Sequence, residues 1–223
     1  MNYRHEWKHE ISYADLLTLR ARLGAVMQTD PHAVNGQYTI RSVYFDTPYD
    51  KALREKTDGI DRREKFRIRF YNGDLSRISI EKKCKINGLC RKESACITEA
   101  ETRRLAAGDI DFLLQSDAPL RRELYSKMKG QGLRPKTIVD YTREPFVYVP
   151  GNVRVTLDYN IRTGAYRTDF LSADTLTLPA GDAPVILEVK WDAYLPDIIR
   201  DAVSLPSRRA SAFSKYAQCR IYG

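Results

Sequence analysis

Long apolar runs are missing from this chain. No window approaches the roughly 18 apolar residues that a membrane-spanning helix needs, and the N-terminal MNYRHEWKHEIS lacks the apolar stretch of a secretory leader. These absences predict a cytoplasmic protein with no membrane segment. Cysteine is scarce as well. Cys84, Cys90, Cys96 and Cys219 form no CxxC pair, which excludes the usual zinc spacing, and four are too few for a disulfide scaffold, so they read as free thiols. No repeat, low-complexity tract or Pro/Gly/Ser-rich linker interrupts the 223 residues, and residues 1–223 read as a single domain. Acidic residues are in deficit, 29 against 37 Lys and Arg, for a net charge of +8. That balance calls for an anionic partner: nucleic acid, a membrane surface or a phosphorylated small molecule.

What is present is period two. Residues 3–11 alternate, with Arg4, Glu6, Lys8 and Glu10 on one face and Tyr3, His5, Trp7, His9 and Ile11 on the other. Further strands are predicted at 37–45, 63–71, 76–86, 89–97, 137–142, 145–149, 153–159 and 185–191. Asn87-Gly88 and Pro150-Gly151-Asn152 fall between strand pairs as hairpin turns, which argues for antiparallel neighbours. Ser12 reads as the N-cap of a helix carrying Leu16, Leu19, Leu23 and Met27, ending near Asp30-Pro31. Other helices are predicted over 98–107, 119–130, 195–203 and 209–220. The fold class is α+β: a closed antiparallel β-barrel of about eight strands, with helices packed outside and a C-terminal helix near one end.

The strands have one apolar face, such as Phe66, Ile68 and Phe70 or Val153, Val155 and Leu157. Their other face carries Arg67 and Arg69, then Glu81, Lys83 and Lys85, then Arg91 and Glu93 flanked by Lys92, then Arg154, Thr156 and Asp158, then Glu188 and Lys190. On one strand such a face is simply the solvated side of a sheet. Repeated over several strands, the cations repel one another unless an anion lies among them. An eight-stranded barrel has an interior wide enough for one slender ligand, and a phosphate chain is slender and supplies the counter-charge. Arg meets it with a bidentate fork and Lys with a point charge. The carboxylates add specificity, because Mg²⁺ or Mn²⁺ joins phosphate chains to proteins through one or two carboxylates. Glu6, Glu81 and Glu188 are the candidates, although Glu81 and Asp158 can equally be cross-strand salt bridges. Glu188, read as partly solvated, is expected to matter little for folding.

The segments RHEWKHEIS at 4–12, YFDT at 44–47, KFRIRFY at 65–71, IEKKCK at 80–85, RKES at 91–94, YTREPF at 141–146, VRVTLDY at 153–159, ILEVKW at 186–191 and FSKY at 213–216 resemble, in this order, the catalytic domain of vacuolar transporter chaperone proteins, members of the triphosphate tunnel metalloenzyme superfamily. The resemblance spans about residues 3–220. It implies a tunnel of antiparallel strands that binds ATP by its triphosphate and, with Mn²⁺ or Mg²⁺, passes the γ-phosphoryl group to inorganic polyphosphate. By position it implies Lys8, Arg67, Arg69, Lys83, Lys92, Arg143, Arg154 and Lys215 as phosphate ligands, Tyr141 and Ser214 as polar neighbours and Glu188 as the metal carboxylate. Lys85 and Lys190 join the phosphate-binding set from the face pattern. The wider superfamily opens with ExExK; here Arg4 stands at the first acidic position, which favours the polymerase branch over the hydrolase branch.

Two other classes fit a basic tunnel: a triphosphatase with water as acceptor, and a non-catalytic polyphosphate-binding module. A nucleic-acid barrel would interleave aromatics with its cations, whereas Phe66 and Phe70 fall opposite them, so no nucleic acid is expected as partner.

Overall fold

Strands with one apolar and one charged face can bury the apolar side only by wrapping it in helices. The computed structural model describes residues 3–182, 184–206 and 211–221. In chain order its elements are β1 (His5–Ile11), α1 (Tyr13–Val26), β2 (Gln28–Thr29), β3 (Tyr38–Asp46), α2 (Lys51–Thr57), β4 (Arg63–Tyr71), β5 (Asp74–Ile86), β6 (Leu89–Ile97), α3 (Glu99–Ala106), α4 (Pro119–Gln131), β7 (Arg134–Tyr148), β8 (Val153–Thr163), β9 (Leu178–Pro179), β10 (Val185–Trp191), α5 (Asp197–Ala202) and α6 (Lys215–Ile221). One antiparallel sheet runs in the order β1-β10-β8-β7-β3-β4-β5-β6, with the short β2 on β7 and β9 on β8. Among the described residues no helix is long and apolar enough to cross a membrane, and all four cysteines are free.

Local chemistry sets the element boundaries. Ser12 caps α1 through a capping box: its hydroxyl accepts the Asp15 amide, and the Asp15 carboxylate accepts the Ser12 amide. Asn87 and Gly88 both take positive φ, which the two-residue turn between β5 and β6 requires, and Ile86 then pairs with Leu89. Gly151 turns β7 into β8 at φ +73°, where a Cβ would lie 2.6 Å from the Tyr194 carbonyl. The two strands predicted at 137–142 and 145–149 are one, β7. Pro145 does not end it, because β3 pairs with β7 only as far as Arg143, and the Pro145 carbonyl accepts the Asp30 amide instead. The helix predicted over 209–220 begins at Lys215, after residues 211–214, which form no regular element. Positions 209 and 210 lie outside the described residues.

Apolar cores cover the outer face in two patches. Leu16, Leu19 and Leu23 of α1 and Ile199 of α5 pack on Val155, Leu157, Leu187 and Val189. Leu105, Leu120 and Leu124 of α3 and α4 pack on Phe66, Ile68 and Ile80. Each such buried leucine contributes about 2 kcal/mol. Inside the curl, α6 fills one end, where Tyr216 and Cys219 pack with Ile40, Tyr44, Val139 and Ile161.

The expected closed barrel is corrected to a curled sheet that stays open. Its edge strands, β1 and β6, share no ladder and meet in one bridge, Arg4 with Cys90. The physical reason lies on the free edge of β1: the Lys8 carbonyl accepts the Ser211 amide at 2.7 Å. A segment leading to α6 therefore takes the place where β6 would have to continue.

Candidate functional site

Registers decide which side chains face inward. Lys8 pairs with Glu188, which pairs with Thr156; Glu6 pairs with Lys190, which pairs with Arg154. Arg143 pairs with Asp158, and Arg67 with Glu81. Directly opposed residues share a face, so all of these project onto the concave side. They line a cavity of ≈ 340 Å³ walled by twelve Lys and Arg but only two carboxylates, Glu6 and Glu188.

Around those two carboxylates the cations gather. Lys8 Nζ lies 3.0 Å from Glu6 and 3.7 Å from Glu188, Lys83 Nζ 2.6 Å from Glu6, Lys190 Nζ 2.9 Å from Glu188, and Arg143 Nη2 3.3 Å from Glu188. Burial and the neighbouring Glu188 push the Glu6 carboxyl up, but Lys8, Lys83 and Lys190 outweigh them and hold it at about 2. Burial likewise opposes ionisation of Glu188, and Lys190, Lys8, Lys83 and Arg143 keep it well below the usual carboxylate range. Burial pulls Lys190 down to about 8 even so.

Beside this cluster stands a second. Glu81 accepts from Arg67 Nε at 2.7 Å and from Lys92 Nζ at 3.2 Å. Arg67 also donates to the Tyr44 hydroxyl at 2.7 Å, and Arg69 donates to Ser42 and to the Tyr141 hydroxyl at 2.9 and 3.0 Å. In a third, the buried Asp158 accepts from Arg143 Nε at 2.6 Å and from Lys215 Nζ at 2.6 Å. Burial raises the Asp158 carboxyl, but Arg143 and Lys215 outweigh it and leave it at about 2. At the rim, Arg154 donates to Asp30 and to the Tyr38 hydroxyl at 2.7 and 2.6 Å.

The structure therefore gathers Lys8, Arg67, Arg69, Lys83, Lys92, Tyr141, Arg143, Arg154, Glu188, Lys190, Ser214 and Lys215 around one cavity, together with Glu6. Lys85 is not among them and lines an adjoining, smaller cavity. Glu81 makes the cross-strand salt bridge that its position in the sequence also allowed: its oxygens meet Arg67 and Lys92, apart from the Glu6–Glu188 pair. Arg91 and Glu93 are a correction in facing: the Ile86–Leu89 turn sets Lys83 opposite Lys92, and a slip of one residue exchanges faces. Lys92 is thus the inward residue, and Arg91 borders only the rim of this edge strand.

Sequence reasoning missed Lys65, Tyr38, Tyr44 and Tyr71, all of which line the cavity. For Lys65 the signal was present, since it stands two residues before Arg67. Its ammonium lies 5.4 Å from the Tyr44 ring centroid and has no carboxylate partner among the described residues. Burial lowers it to about 7; Tyr44 opposes this, and Lys83, Lys8 and Arg67 add to it.

Protein donors for a divalent cation are few. No cluster of three His, Cys, Asp or Glu able to hold one occurs among the described residues. Two adjacent inward carboxylates, Glu6 and Glu188, fit an ion that brings its remaining ligands as phosphate oxygens and water, the usual habit of Mg²⁺.

Fold and cavity together define a concave antiparallel sheet with a strongly basic inner face. The chain belongs to the VTC domain family, whose model matches residues 3–222. No curated protein matches the chain. Among solved structures it is similar to the PH1012 protein of Pyrococcus horikoshii OT3, at 13% identity and a TM-score of 0.51 over 97% of this chain and 99% of that one. It is also similar to the PH1819 protein of the same organism, at 17% identity and a TM-score of 0.45 over 90% and 84%. The PH1012 likeness supports the fold alone.

Proposed function

We infer that the protein transfers the γ-phosphoryl group of ATP to the end of an inorganic polyphosphate chain held in the concave cavity. The observation that carries this reading is the concentration of cations on the wall, twelve basic residues against two carboxylates, around a cavity of ≈ 340 Å³. Arg67, Arg69, Arg143 and Arg154 stand where they can grip non-bridging phosphate oxygens, with Lys8, Lys83, Lys190 and Lys215 between them. Each already rests on a carboxylate, a hydroxyl or both, which fixes its direction before the ligand arrives.

In the transfer, an oxygen of the acceptor's terminal phosphate forms a bond to the γ-phosphorus as the bond to the β-bridging oxygen breaks, and ADP leaves with that electron pair. The protein's part is to hold donor and acceptor in line and to neutralise the equatorial oxygens. Because the acceptor is ionised at neutral pH, no general base is called for. Glu6 and Glu188 would hold Mn²⁺ or Mg²⁺, which supplies further neutralisation of phosphate charge when bound. Arg4 supports phosphate over water as acceptor. At the position where the hydrolases' first Glu would stand, its guanidinium pairs with Asp192 at 2.7 Å and offers no carboxylate to the cavity.

The test is to incubate the protein with ATP and Mn²⁺ and to compare a gel stained for polyphosphate with a free-phosphate assay. The expected result is ADP with a polyphosphate ladder and little free phosphate. Free phosphate equal to ADP with no ladder would replace this reading with a triphosphatase, and no ADP under any metal would leave a binding module.

A further inference from the structure

The cations of the main cavity are largely compensated: Glu6, Glu81, Asp158 and Glu188 each hold two or more of them, and Asp30 holds Arg154. Cations with no carboxylate partner gather mainly beside it, with Lys65 shared between the two cavities. A smaller cavity of ≈ 120 Å³ adjoins the first and shares Glu6, Lys8, Lys65, Lys83, Cys90 and Ser214 with it. Its outer wall adds Lys56 from α2, Arg63 from the start of β4 and Lys85 from β5. Arg63 and Lys85 are directly opposed across the ladder, a like-charge pairing that costs stability.

Among the described residues none of Lys56, Lys65 and Lys85 has an ion-pair partner, and Arg63 donates only to the Ile60 carbonyl. The nearby acids are already engaged. Glu64 is held by Lys82 and Lys127. Asp61 accepts the Asn87 and Gly88 amides of the β5–β6 turn at 2.7 and 3.1 Å. Glu6 faces Lys8 and Lys83. Burial lowers the Lys56 ammonium, and Arg63, Lys8 and Lys85 lower it further, as expected for cations gathered without an anion.

We propose that this second chamber binds the far part of a linear inorganic phosphate chain, the acceptor strand, while the main cavity binds the donor triphosphate. The inference rests on the polyphosphate reading above and gives that site a direction. The chamber is smaller than the roughly 300 Å³ and more of pockets for ordinary organic ligands, a size that suits a slender chain. Its continuity with the main cavity through Lys65 and Lys83 lets one chain run past both groups of cations. A single phosphate would meet only part of this wall, so the chamber selects length.

The experiment is calorimetry on the wild type and on Lys56→Ala/Arg63→Ala with three ligands: long-chain inorganic polyphosphate, a non-hydrolysable ATP analogue and inorganic phosphate. Two lost charge-assisted contacts predict that polyphosphate affinity falls at least tenfold, with the ATP analogue changed less than twofold and inorganic phosphate weak in both proteins. Equal losses for polyphosphate and the analogue would overturn the division of labour. A polyphosphate change below twofold would overturn the chamber itself, and tight binding of inorganic phosphate alone would replace it with a phosphate site. Circular dichroism checks the fold, and Lys56→Gln alone, a milder change at a half-buried position of α2, repeats the test if the double variant is unstable. Because the readout is binding, it stands apart from turnover: a wild type that makes no polymer would sink the polymerase reading while leaving the affinity split to judge the chamber.

Discussion

Glu188 shows what the concave face demands of one residue. It is 4% exposed, and Lys8, Lys190 and Arg143 lie within 3.7 Å of its oxygens. The expectation of a partly solvated carboxylate that matters little for folding is therefore revised. Neutralising it leaves three cations with less compensation in a poorly hydrated space, and removing one member of such a set costs roughly 3 kcal/mol. Glu188→Gln is expected to lose metal-dependent turnover and also to melt at lower temperature. Inorganic tripolyphosphate should restore much of the lost melting temperature, because it returns negative charge to the same cations. Thermal melts with and without tripolyphosphate check this. An unchanged melting temperature without ligand would mean that neighbouring groups or water replace the lost charge.

At the scale of elements, the least expected device is the link between β3, α2 and α6. Asp46, at the end of β3 and fully buried, accepts the Ala52 and Leu53 amides, so it serves the N-terminus of α2. Asp50, the residue that precedes α2, makes no side-chain cap of its own. Asp46 also accepts the Tyr216 hydroxyl at 2.7 Å, while Tyr216 stacks on Tyr44 with centroids 5.1 Å apart. One carboxylate thus ties down the helix that carries Lys215 into the cavity. Tyr216→Phe removes one hydrogen bond and is expected to cost about 1 kcal/mol. Asp46→Ala orphans several amides at once and is expected to cost about 3 kcal/mol or more and to weaken triphosphate binding through Lys215. Denaturant melts paired with calorimetry check the order, and equal small effects would mean that α6 is held by packing alone.

None of this was legible in YFDT, because an acid that caps a helix five residues downstream has no fixed spacing to read. The hairpin at Asn87-Gly88, the strands and the cap at Ser12 were legible, since each depends on neighbours in sequence. The inward cations of β4, β5 and β10 were legible from alternation alone. The facing of β6 was not, since four consecutive polar residues, Arg91 to Ser94, fit either face until the turn sets the register. Nor was the open edge, which depends on Ser211 reaching Lys8 from across the chain.

For the whole molecule, the excess of positive charge in the curl makes ligand, proton and stability one linked system. Besides Lys190 at about 8, two groups there change charge near neutrality. Burial lowers Lys65 to about 7, with Lys83, Lys8 and Arg67 adding to the effect against Tyr44. Burial raises Tyr44, but Arg67, Lys65 and Arg69 outweigh it and bring its hydroxyl to about 7. These two face each other, so near pH 7 the pair sheds protons that the unfolded chain, with its ordinary Lys and Tyr, keeps until about pH 10. Between pH 7 and 10 the unfolded state therefore binds more protons, and stability of the free protein should rise with pH across that window. Phosphate binding runs the other way. An anion prefers the protonated pair, so triphosphate affinity should fall as pH rises above 7, with a proton taken up for each ligand bound. Saturating tripolyphosphate at about 100 times its dissociation constant should add about 2.7 kcal/mol, a melting shift of roughly 5–10 °C for a chain of this size, larger at pH 6.5 than at pH 8.5. Melts at both pH values, and calorimetry in buffers of different ionisation enthalpy, test the two signs. A ligand shift that grows with pH, or binding without proton uptake at pH 8, would remove Lys65 and Tyr44 from the set of groups that sense the anion.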